Sequence, residues 1–357
     1  MRVTSPESWT QRLYNAITST CEAGTNWAGL TIPSELIFLP MKNFQRDKLV
    51  NSLPQFPTHL AEKTDAVESP LVQAYLDFYS INFSKTFPGF SYDIGTMQSS
   101  GYSVVIQCWV KPSSQGTLFI VHGYLDHVGL FGHVIKFALE NNLSVCAFDL
   151  PGHGLSSGEL ASIDSFDIYA NVLQDIRNVV GPITPGPCHV LAQSTGGAVV
   201  LNHLWRFDPD SFESMVLLAP LIRSHGWKVT RWFFPLLKPF IKYTRRGFNN
   251  NTHDPGFIEF VKEHDPMQAL EIPTCWVSAM DNWGRQFRSF PVLGKVLLII
   301  QGDADTTVDG PYNMRMIREK LPQADINVVS GLRHQVVNET EEYRSQVFEK
   351  VFHHICL

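Results

Sequence analysis

From residue 117 onward, short runs of apolar residues recur along the chain without polar alternation. Runs of this length are typical of strands covered on both faces, as in a parallel sheet. The runs are TLFIV (117–121), SVCAFD (144–149), HVLA (189–192), MVLLA (215–219) and KVLLII (295–300). Segments of helical length lie near 131–141, 164–180, 195–206, 311–321 and 340–354. Strands alternating with helices predict an α/β protein with a mostly parallel, doubly wound sheet.

The region before this alternation has a different pattern. FSYDIGTM and YSVVIQCWV are predicted to form an antiparallel strand pair that is joined by a turn at 99–101. The first part of the chain is rich in loops and proline, so we interpret residues 1–89 as an N-terminal extension packed on the core. Two helices are expected in it, because Ser-Pro at 5–6 and at 69–70 gives an N-cap followed by proline at the first helical position.

About seventy-five residues between MVLLAP and KVLLII contain no clear buried strand. This length is far too great for a crossover connection, so the segment is predicted to be an inserted, mainly helical cap. The predicted domains are therefore an extension (1–89), a core (90–220 and 291–357) and a cap subdomain (221–290).

Composition narrows the class of protein further. Of the 357 residues, 44% are hydrophobic and 17% are charged, which is ordinary for a soluble globular enzyme. The net charge of −6 gives no reason to expect nucleic-acid binding. No apolar run is long enough to span a bilayer, and we expect no signal peptide. Six scattered cysteines without a CxxC pair indicate reduced thiols in a cytoplasmic protein, with no metal site.

Candidate chemistry follows the predicted strands. Ligands of an α/β sheet bind at the carboxyl ends of its strands, so the residues just after each strand are informative. A serine (Ser194), acids within 303–309 and a histidine (His334) occur in this order, each in a loop of this kind. That is the order expected of α/β-hydrolases.

Five motifs carry a closer resemblance. They are VHGYLDHVG, FDLPGHGLSSG, AQSTGG, QGDADTTVD and RHQVVNE. With them, the chain from about Thr117 onward resembles α/β-hydrolases of the monoacylglycerol lipase and lysophospholipase-like (serine aminopeptidase S33-type) family. The resemblance covers about two-thirds of the chain and leaves out the first ninety residues. It implies the α/β-hydrolase fold and a serine esterase.

Ser194 has two interpretations. The usual Gly-x-Ser-x-Gly turn holds a nucleophile at a tight corner between strand and helix. Here Ala192 replaces the first glycine, whereas Gly196 and Gly197 keep the other side open. Ser194 alone is equally compatible with an ordinary helix N-cap, because serine is a favoured cap. The other motifs favour the nucleophile.

A serine nucleophile needs a base and an acid that orients the base. His334 is the predicted base, since it lies in a loop between an apolar strand and a terminal helix. The family pattern Gly-x-x-Asp-x-x-Val implies Asp305 as the acid, with Asp303 as the alternative. For Asp309 we expect a helix cap instead.

The resemblance also implies the supporting residues. The backbone N–H groups of Tyr124 and Thr195 are expected to form the oxyanion hole. Structural roles are expected for several further motif residues, namely His122, Gly123, His153, Gly152, Gly154 and Gly196.

The predicted cap contains a basic and aromatic segment, residues 222–248, with seven basic residues and no acid. At helical spacing one side is basic and the other is apolar, although Pro235 and Pro239 are expected to divide it into two short pieces. The segment fits a membrane interface or a lid whose apolar face covers the active site. On the second interpretation the candidate pocket residues are Trp232, Phe233, Leu236 and Phe240.

The sequence therefore predicts a cytoplasmic serine hydrolase that cleaves lipid-like carboxylic esters of monoacylglycerol or lysophospholipid type. The expected partner is a small-molecule substrate, with peripheral membrane association as an open alternative. The chemistry requires no metal or organic cofactor. Three alternatives remain: an amidase or aminopeptidase, an acyltransferase, and a non-catalytic binding protein of the same fold.

Overall fold

An eight-stranded sheet, parallel except at one edge, forms the centre of the structure. The computed structural model describes residues 46–57 and 69–356. The strands of the described residues are β1 (Ser91–Ser99), β2 (Tyr102–Val110), β3 (Thr117–Val121), β4 (Ser144–Phe148), β5 (Cys188–Gln193), β6 (Met215–Leu218), β7 (Tyr243–Arg245), β8 (Glu271–Pro273), β9 (Leu298–Gly302) and β10 (Asp325–Val329). The strand order in the sheet is β1-β2-β4-β3-β5-β6-β9-β10, and among these pairs β1/β2 and β2/β4 are antiparallel.

Helices connect the parallel strands and cover the sheet. In the described part of the chain they are α1 (Arg46–Ser52), α2 (Pro70–Phe78), α3 (Gly132–Glu140), α4 (Phe166–Val180), α5 (Thr195–Arg206), α6 (Trp227–Thr230), α7 (Phe234–Leu237), α8 (Pro255–Glu259), α9 (Thr274–Ser289), α10 (Gly310–Lys320) and α11 (Glu341–Cys356). The predicted α/β class with a mostly parallel sheet is confirmed. Each of the five predicted helical segments overlaps an observed helix.

The strands form because their residues are covered on both faces. Every residue of β3, β4, β5 and β6 is buried, which explains their continuous apolar sequences. The last run begins later than predicted, since β9 starts at Leu298 rather than at Lys295.

The strand pair β1/β2 at the sheet edge is also confirmed. Ser99 pairs with Tyr102. The two residues between them have positive φ angles, 50° at Ser100 and 84° at Gly101, as a two-residue hairpin turn requires.

Helix α4 shows how the helices attach to the sheet. Ser165 caps it by accepting a hydrogen bond from the Asp167 N–H. Its buried residues, spaced three or four apart, face the core.

Residues 219–297, the insertion, lie between β6 and β9; that they form a separate cap subdomain stays a prediction. They contain four helices, a π-helical turn (Phe260–His264) and the short antiparallel pair β7/β8. The basic segment forms two short helices, α6 and α7, with Pro235 in the first turn of α7 and Pro239 just after its end. The β7/β8 pair was not predicted, because three-residue strands are too short to show an alternating pattern. The boundaries 221–290, 90–220 and 291–357 stay predictions.

Part of the N-terminal region can be compared with the sequence. The helix expected after Ser69-Pro70 is confirmed as α2. The helix expected at 5–6, and most of the proposed extension 1–89, lie outside the described residues. Arg46 of α1 donates hydrogen bonds to the carbonyl oxygens of Gly154 (2.8 Å) and Ser156 (2.7 Å), which ties α1 to a glycine-rich turn. The described cysteines are free thiols.

Candidate active site

Ser194 lies at the sharp corner between β5 and α5. Its backbone angles, φ 55° and ψ −112°, are unusual for a residue other than glycine. The Ser194 side chain makes no capping hydrogen bond to α5. Its hydroxyl is instead 2.9 Å from His334 Nε2. The helix-cap interpretation is therefore wrong, and the strained backbone turns the hydroxyl towards His334.

The two sides of this corner differ in how much space they leave. Ala192 is fully buried in β5, so its methyl group is accommodated where the usual pattern has glycine. At Gly196, by contrast, a Cβ atom would collide with the carbonyl oxygen of Val121. The strand-to-helix turn thus requires glycine at 196 and tolerates alanine at 192.

His334 joins Ser194 to an acid in the next strand-end loop. His334 Nδ1 is 2.8 Å from Asp305 Oδ2, and all three side chains are almost completely buried. Because a carboxylate only accepts, Nδ1 carries the proton, and Nε2 is left to accept from the Ser194 hydroxyl. The structure therefore brings the three predicted residues together as a hydrogen-bonded Ser194–His334–Asp305 chain.

Several donors hold the Asp305 carboxylate. Its oxygens accept hydrogen bonds from the N–H groups of Thr307 (2.7 Å) and Val308 (3.1 Å) and from the Gln301 amide (3.0 Å). Burial by itself raises the pKa of Asp305, but the attraction of His334 and these hydrogen bonds outweigh it, so the pKa lies below its usual value. Asp305 is therefore charged and lies where it can stabilise the imidazolium form of His334 during the reaction.

The other two acids of this loop have different partners. Asp303 accepts from the Gly331 N–H (2.6 Å) and the Ser330 hydroxyl (3.1 Å), and it makes no hydrogen bond to His334. Asp309 caps α10 by accepting from the Tyr312 N–H. Of the two alternatives left open, the structure brings Asp305 to the histidine.

The candidate oxyanion donors flank Ser194. Thr195 is the first residue of α5, so its N–H has no acceptor within the helix. Tyr124 follows Gly123, whose Cα faces the Ser194 side chain closely enough that a Cβ there would lie 3.4 Å from Ser194 Cβ. The Tyr124 ring stacks on Trp276 with centroids 3.6 Å apart, and its hydroxyl donates to the Ala161 carbonyl (2.8 Å). The loop is thus fixed on both sides.

His122 locks the start of this loop. Its Nε2 accepts from the Leu150 N–H (2.9 Å), so Nδ1 is protonated and donates to the Gly123 carbonyl (2.7 Å). Burial lowers the pKa of His122 well below its usual value, which keeps the ring neutral. His122 therefore has the structural role that the resemblance implied.

The glycine-rich turn after β4 braces the same loop. Asp149 accepts from the N–H groups of Val128 (2.7 Å) and Leu155 (2.8 Å), and so joins the two segments. Gly152 and Gly154 both have positive φ angles, 76° and 50°. His153 is buried between them; burial lowers its pKa to about 4, and Nδ1 hydrogen-bonds the Pro151 carbonyl.

A buried hydrogen-bond network behind the site was missed by the sequence analysis. The Gln193 amide donates to Gln335 Oε1 (2.6 Å), and the Gln335 amide donates to Asp126 (3.0 Å). The Val337 N–H donates to Gln193 Oε1 (3.0 Å). Gln193 precedes the serine, Gln335 follows the histidine and Asp126 lies in the oxyanion loop. The network therefore links all three loops of the site, and its only sequence signal was adjacency to motif residues.

A cavity of about 320 Å³ opens onto Ser194 and His334. Tyr124 and Thr195 also line this cavity. Much of its wall comes from the insertion and is apolar, with contributions from Trp227, Phe257, Val261, Ile272, Val277 and Met280. The cavity is of a size and polarity suited to a small apolar ligand or an acyl chain.

The four residues predicted to line this pocket lie elsewhere. Trp232, Phe233, Leu236 and Phe240 do not line the cavity, and they are strongly exposed, from 59% at Phe233 to 85% at Phe240. That prediction is corrected: these four side chains are exposed outside the cavity, whereas Trp227 and Phe248 of the same segment line it. The segment forms two short helices, so the spacing of one continuous helix does not determine which of its side chains face inward.

Within the described ranges, 46–57 and 69–356, no group of three or more histidine, cysteine or acidic side chains is arranged to hold a metal ion. In the same ranges no helix is both long and apolar enough to cross a bilayer.

The sheet order, the strained serine corner and the Ser–His–Asp chain define an α/β-hydrolase. A model of the family described as serine aminopeptidase, S33, matches residues 112–341. Since this is more than half of the sequence, the chain belongs to that family.

The relatives agree with this assignment. The chain is 25% identical to a monoacylglycerol lipase of Mycolicibacterium smegmatis over 68% of its length and 89% of the relative. It is 24% identical to the monoglyceride lipase of Homo sapiens, over 71% and 87%. A soluble variant of the monoglyceride lipase from Saccharomyces cerevisiae, solved with a substrate analog, matches with a TM-score of 0.63 and 19% identity, over 72% of this chain and 93% of that one. The predicted α/β-hydrolase fold is confirmed.

Proposed function

We propose that the protein is a serine hydrolase that cleaves carboxylic esters of lipid-like substrates, of monoacylglycerol or lysophospholipid type. The observation that carries this proposal is the buried hydrogen-bonded chain from Ser194 through His334 to Asp305. The names of the relatives, monoacylglycerol and monoglyceride lipase, support the same substrate class.

Acylation begins at the serine. The Ser194 oxygen bonds to the ester carbonyl carbon while its proton passes to His334 Nε2. The negative charge that develops on the carbonyl oxygen is held by the N–H groups of Tyr124 and Thr195. The tetrahedral species then breaks its bond to the alcohol oxygen, which takes the proton from His334 and leaves as a free alcohol.

Water completes the reaction. It attacks the acyl carbon and gives a proton to His334, which returns that proton to Ser194 as the carboxylic acid departs. Asp305 stabilises the imidazolium in both halves, and its lowered pKa keeps it charged throughout.

The cavity supports an apolar acyl group. The insertion contributes mostly aromatic and aliphatic side chains to the wall above Ser194. Burying a chain of methylene groups against them contributes about 0.8 kcal/mol per group, which favours long-chain over short-chain esters.

The test compares the wild type with Ser194→Ala on a mixed lipid extract, with products identified by mass spectrometry. We expect fatty acids to be released by the wild type only, with activity in the variant lower by about 10⁴-fold or more. A fluorophosphonate probe should label the wild type and not the variant. Release of fatty acid by both proteins at equal rates would remove the proposal.

The three alternative functions would use the same site but differ in the substrates and products that are observed. An amidase or aminopeptidase would prefer amino-acid anilides to esters, and an acyltransferase would pass the acyl group to an added alcohol in preference to water. A non-catalytic binding protein would leave Ser194 unlabelled by fluorophosphonate. A panel of esters, anilides and acceptor alcohols separates these four outcomes.

We also propose that the protein associates peripherally with membranes through its basic and aromatic segment. Trp232, Phe233, Leu236 and Phe240 form the exposed apolar patch described above. Lys228, Arg231, Lys238, Lys242 and Arg245 lie in the same segment and are exposed as well. Contiguous exposed apolar side chains with neighbouring cations suit the interface of an anionic bilayer.

A further inference from the structure

The mostly apolar cavity is lined by one charged side chain, Arg246, that has no role in the proposed ester hydrolysis. The described residues that line the cavity include one arginine, Arg246, one carboxylate, Asp126, and one histidine, His334. Arg246 directly follows β7 in the insertion and lines the cavity. It has no part in the proposed acyl transfer at Ser194.

The Arg246 guanidinium is held in place mainly by neutral groups. Its Nη1 donates to the Gln268 side chain and, at 3.4 Å, to the Ala269 carbonyl. The group also lies 4.6 Å from the centre of the Phe248 ring. These contacts fix one nitrogen and one face of the guanidinium, and leave the Nε and Nη2 edge without a hydrogen bond to the described residues. An arginine with that edge open offers two parallel N–H donors.

No carboxylate in the described part of the chain lies within 4.0 Å of this guanidinium. Asp126, across the cavity wall, accepts the Gln335 amide with both oxygens, at 3.0 and 3.2 Å. Burial raises the pKa of Asp126, and the Gln335 hydrogen bond and the attraction of Arg246 only partly offset this, so Asp126 acts on Arg246 as a charge at a distance and not as a paired carboxylate. Asp265 is engaged by His127 at 3.0 Å. Asp126 and Asp265 are thus hydrogen-bonded to other groups and form no ion pair with Arg246.

A partly buried cation without a paired anion is costly unless a ligand supplies the anion. Burial lowers the pKa of Arg246, and the attraction of the more distant Asp126 and Asp265 only partly offsets this effect; the arginine stays charged at neutral pH. A phosphate or carboxylate presents two oxygens at the spacing of the guanidinium fork. Arg246 and Ser194 line the same cavity, so a single substrate bound there has access to both.

We infer that Arg246 is a specificity-determining residue that selects esters carrying an anionic group, phosphate or carboxylate, over neutral esters of the same acyl chain. This inference rests on the proposed ester hydrolysis at Ser194. It narrows the substrate class from lipid-like esters in general to anionic ones. The anion belongs either to the alcohol part of the ester or to the far end of its acyl part.

The experiment measures kcat/KM for three soluble esters of short acyl chain, used as monomers so that membrane binding has no effect. They are a 1-acylglycerol, the matching 1-acylglycerol 3-phosphate, and a glycerol monoester of a dicarboxylic acid with one free carboxylate. We expect the wild type to prefer one anionic ester to the neutral ester by about 10-fold or more, since charge-assisted hydrogen bonds are of that strength. Which anionic ester is preferred identifies the side that carries the anion.

In Arg246→Ala the ratio of anionic to neutral kcat/KM should fall by about 10- to 100-fold. Arg285→Ala is the matched control, because Arg285 is an exposed arginine of the same insertion that does not line the cavity, and its ratio should equal that of the wild type. Arg246→Lys keeps the charge without the fork and should fall between the two.

Two results would overturn the inference: a wild type that prefers the neutral ester to both anionic ones, or a ratio that is equal in the wild type and Arg246→Ala. The wild-type result holds even if a variant does not fold. Absence of hydrolysis of all three esters, together with no fluorophosphonate labelling, would contradict the proposed function instead, so the two failures are distinct.

Discussion

Asp305 connects the electrostatics of the site to its proposed chemistry. Asp305→Asn keeps the shape of the side chain but removes the charge and allows the amide to force the wrong tautomer on His334. We expect kcat for ester hydrolysis to fall by about 10³- to 10⁴-fold with little change in KM. Asp303→Asn is the control, because the Asp303 carboxylate hydrogen-bonds Ser330 and Gly331 instead of His334, and should retain near wild-type kcat. Equal losses in the two variants would argue against Asp305.

The lowered pKa of Asp305 also predicts a dependence of stability on pH. Because the pKa in the folded state lies below its unfolded value of about 4, the charge stabilises the fold above that pH. The contribution is lost as the pH falls through the folded-state pKa. The difference in free energy of unfolding between wild type and Asp305→Asn should therefore be constant from pH 5 to 7 and shrink towards pH 3. Urea denaturation at each pH measures it, and a difference that grows on acidification would contradict the sign.

Gln335 is predicted to act as a positioning residue. Gln335→Leu leaves the buried Asp126 carboxylate and the Gln193 amide without their partner, which should lower the free energy of unfolding by about 1–3 kcal/mol. Since the network links the three site loops, kcat should fall by about 10- to 100-fold while KM changes little. The exposed Gln323→Leu serves as control. If kcat per folded molecule matches the wild type, Gln335 has a structural role alone.

Sequence was informative for these residues where chemistry restricts the residue type. Ser194 and His334 were predicted because each lies at a strand end in a known order, and the family pattern favoured Asp305 over Asp303 in the same loop. Gln193 and Gln335 were not, since a glutamine beside a motif has no typical role until its partner is known. Arg246 was counted among seven basic residues, and only the fold shows that it faces the cavity whereas Arg245 faces outward.

At the scale of elements, two of the contacts between the insertion and the core also support the site. Asp265, after the π-helical turn, accepts hydrogen bonds from the Tyr79 hydroxyl (2.7 Å) and pairs with His127 (3.0 Å) of the oxyanion loop. Glu339, just beyond the His334 loop, accepts from the His253 N–H (2.8 Å) of the insertion. Both contacts join the insertion to a loop of the candidate site.

The first attachment is expected to depend on pH. Burial lowers the pKa of His127, but the attraction and hydrogen bond of Asp265 outweigh it and raise the pKa above its usual value of about 6.5. Despite its own burial, Asp265 has a lowered pKa because of His127. The ion pair therefore stabilises the fold fully below about pH 6.5, down to the acid range, and is lost as the pH rises through the folded-state pKa of His127.

Asp265→Asn should accordingly lower the free energy of unfolding by about 3 kcal/mol at pH 6, because it leaves a buried imidazolium unpaired. The loss should be smaller at pH 9. Denaturation at both values is the measurement, and Glu263→Gln, an exposed change in the same π-helical turn, should have no effect at either. A larger loss at pH 9 than at pH 6 would contradict an ion pair.

The elements of the core were predictable and those of the insertion were not, for a physical reason. Strands covered on both faces require continuous apolar runs, so β3 to β6 were found within one or two residues. In the insertion, elements of three to five residues such as β7 and α7 are too short to show a period. Their positions depend on contacts such as those of Asp265, which the sequence pattern does not contain.

At the scale of the whole molecule, the exposed apolar patch predicts binding to anionic vesicles. The wild type should co-sediment with phosphatidylserine-containing vesicles at low salt and less at high salt, since the neighbouring cations are screened. The double variant Trp232→Ser with Phe240→Ser should remain in the supernatant at both. Val328→Ser, an exposed change on edge strand β10, is the control. No sedimentation of the wild type at low salt would remove the membrane proposal.

The cavity wall has a consequence for how such an enzyme diversifies. Ser194, Asp305 and His334 come from loops after β5, β9 and β10, whereas most of the cavity wall comes from residues 219–297. Mutations in this one contiguous stretch can therefore alter which ester is accepted while the proton-transfer apparatus is inherited unchanged. A chimaera that receives the corresponding stretch of a homologue should keep the donor's substrate preference along with the recipient's reaction.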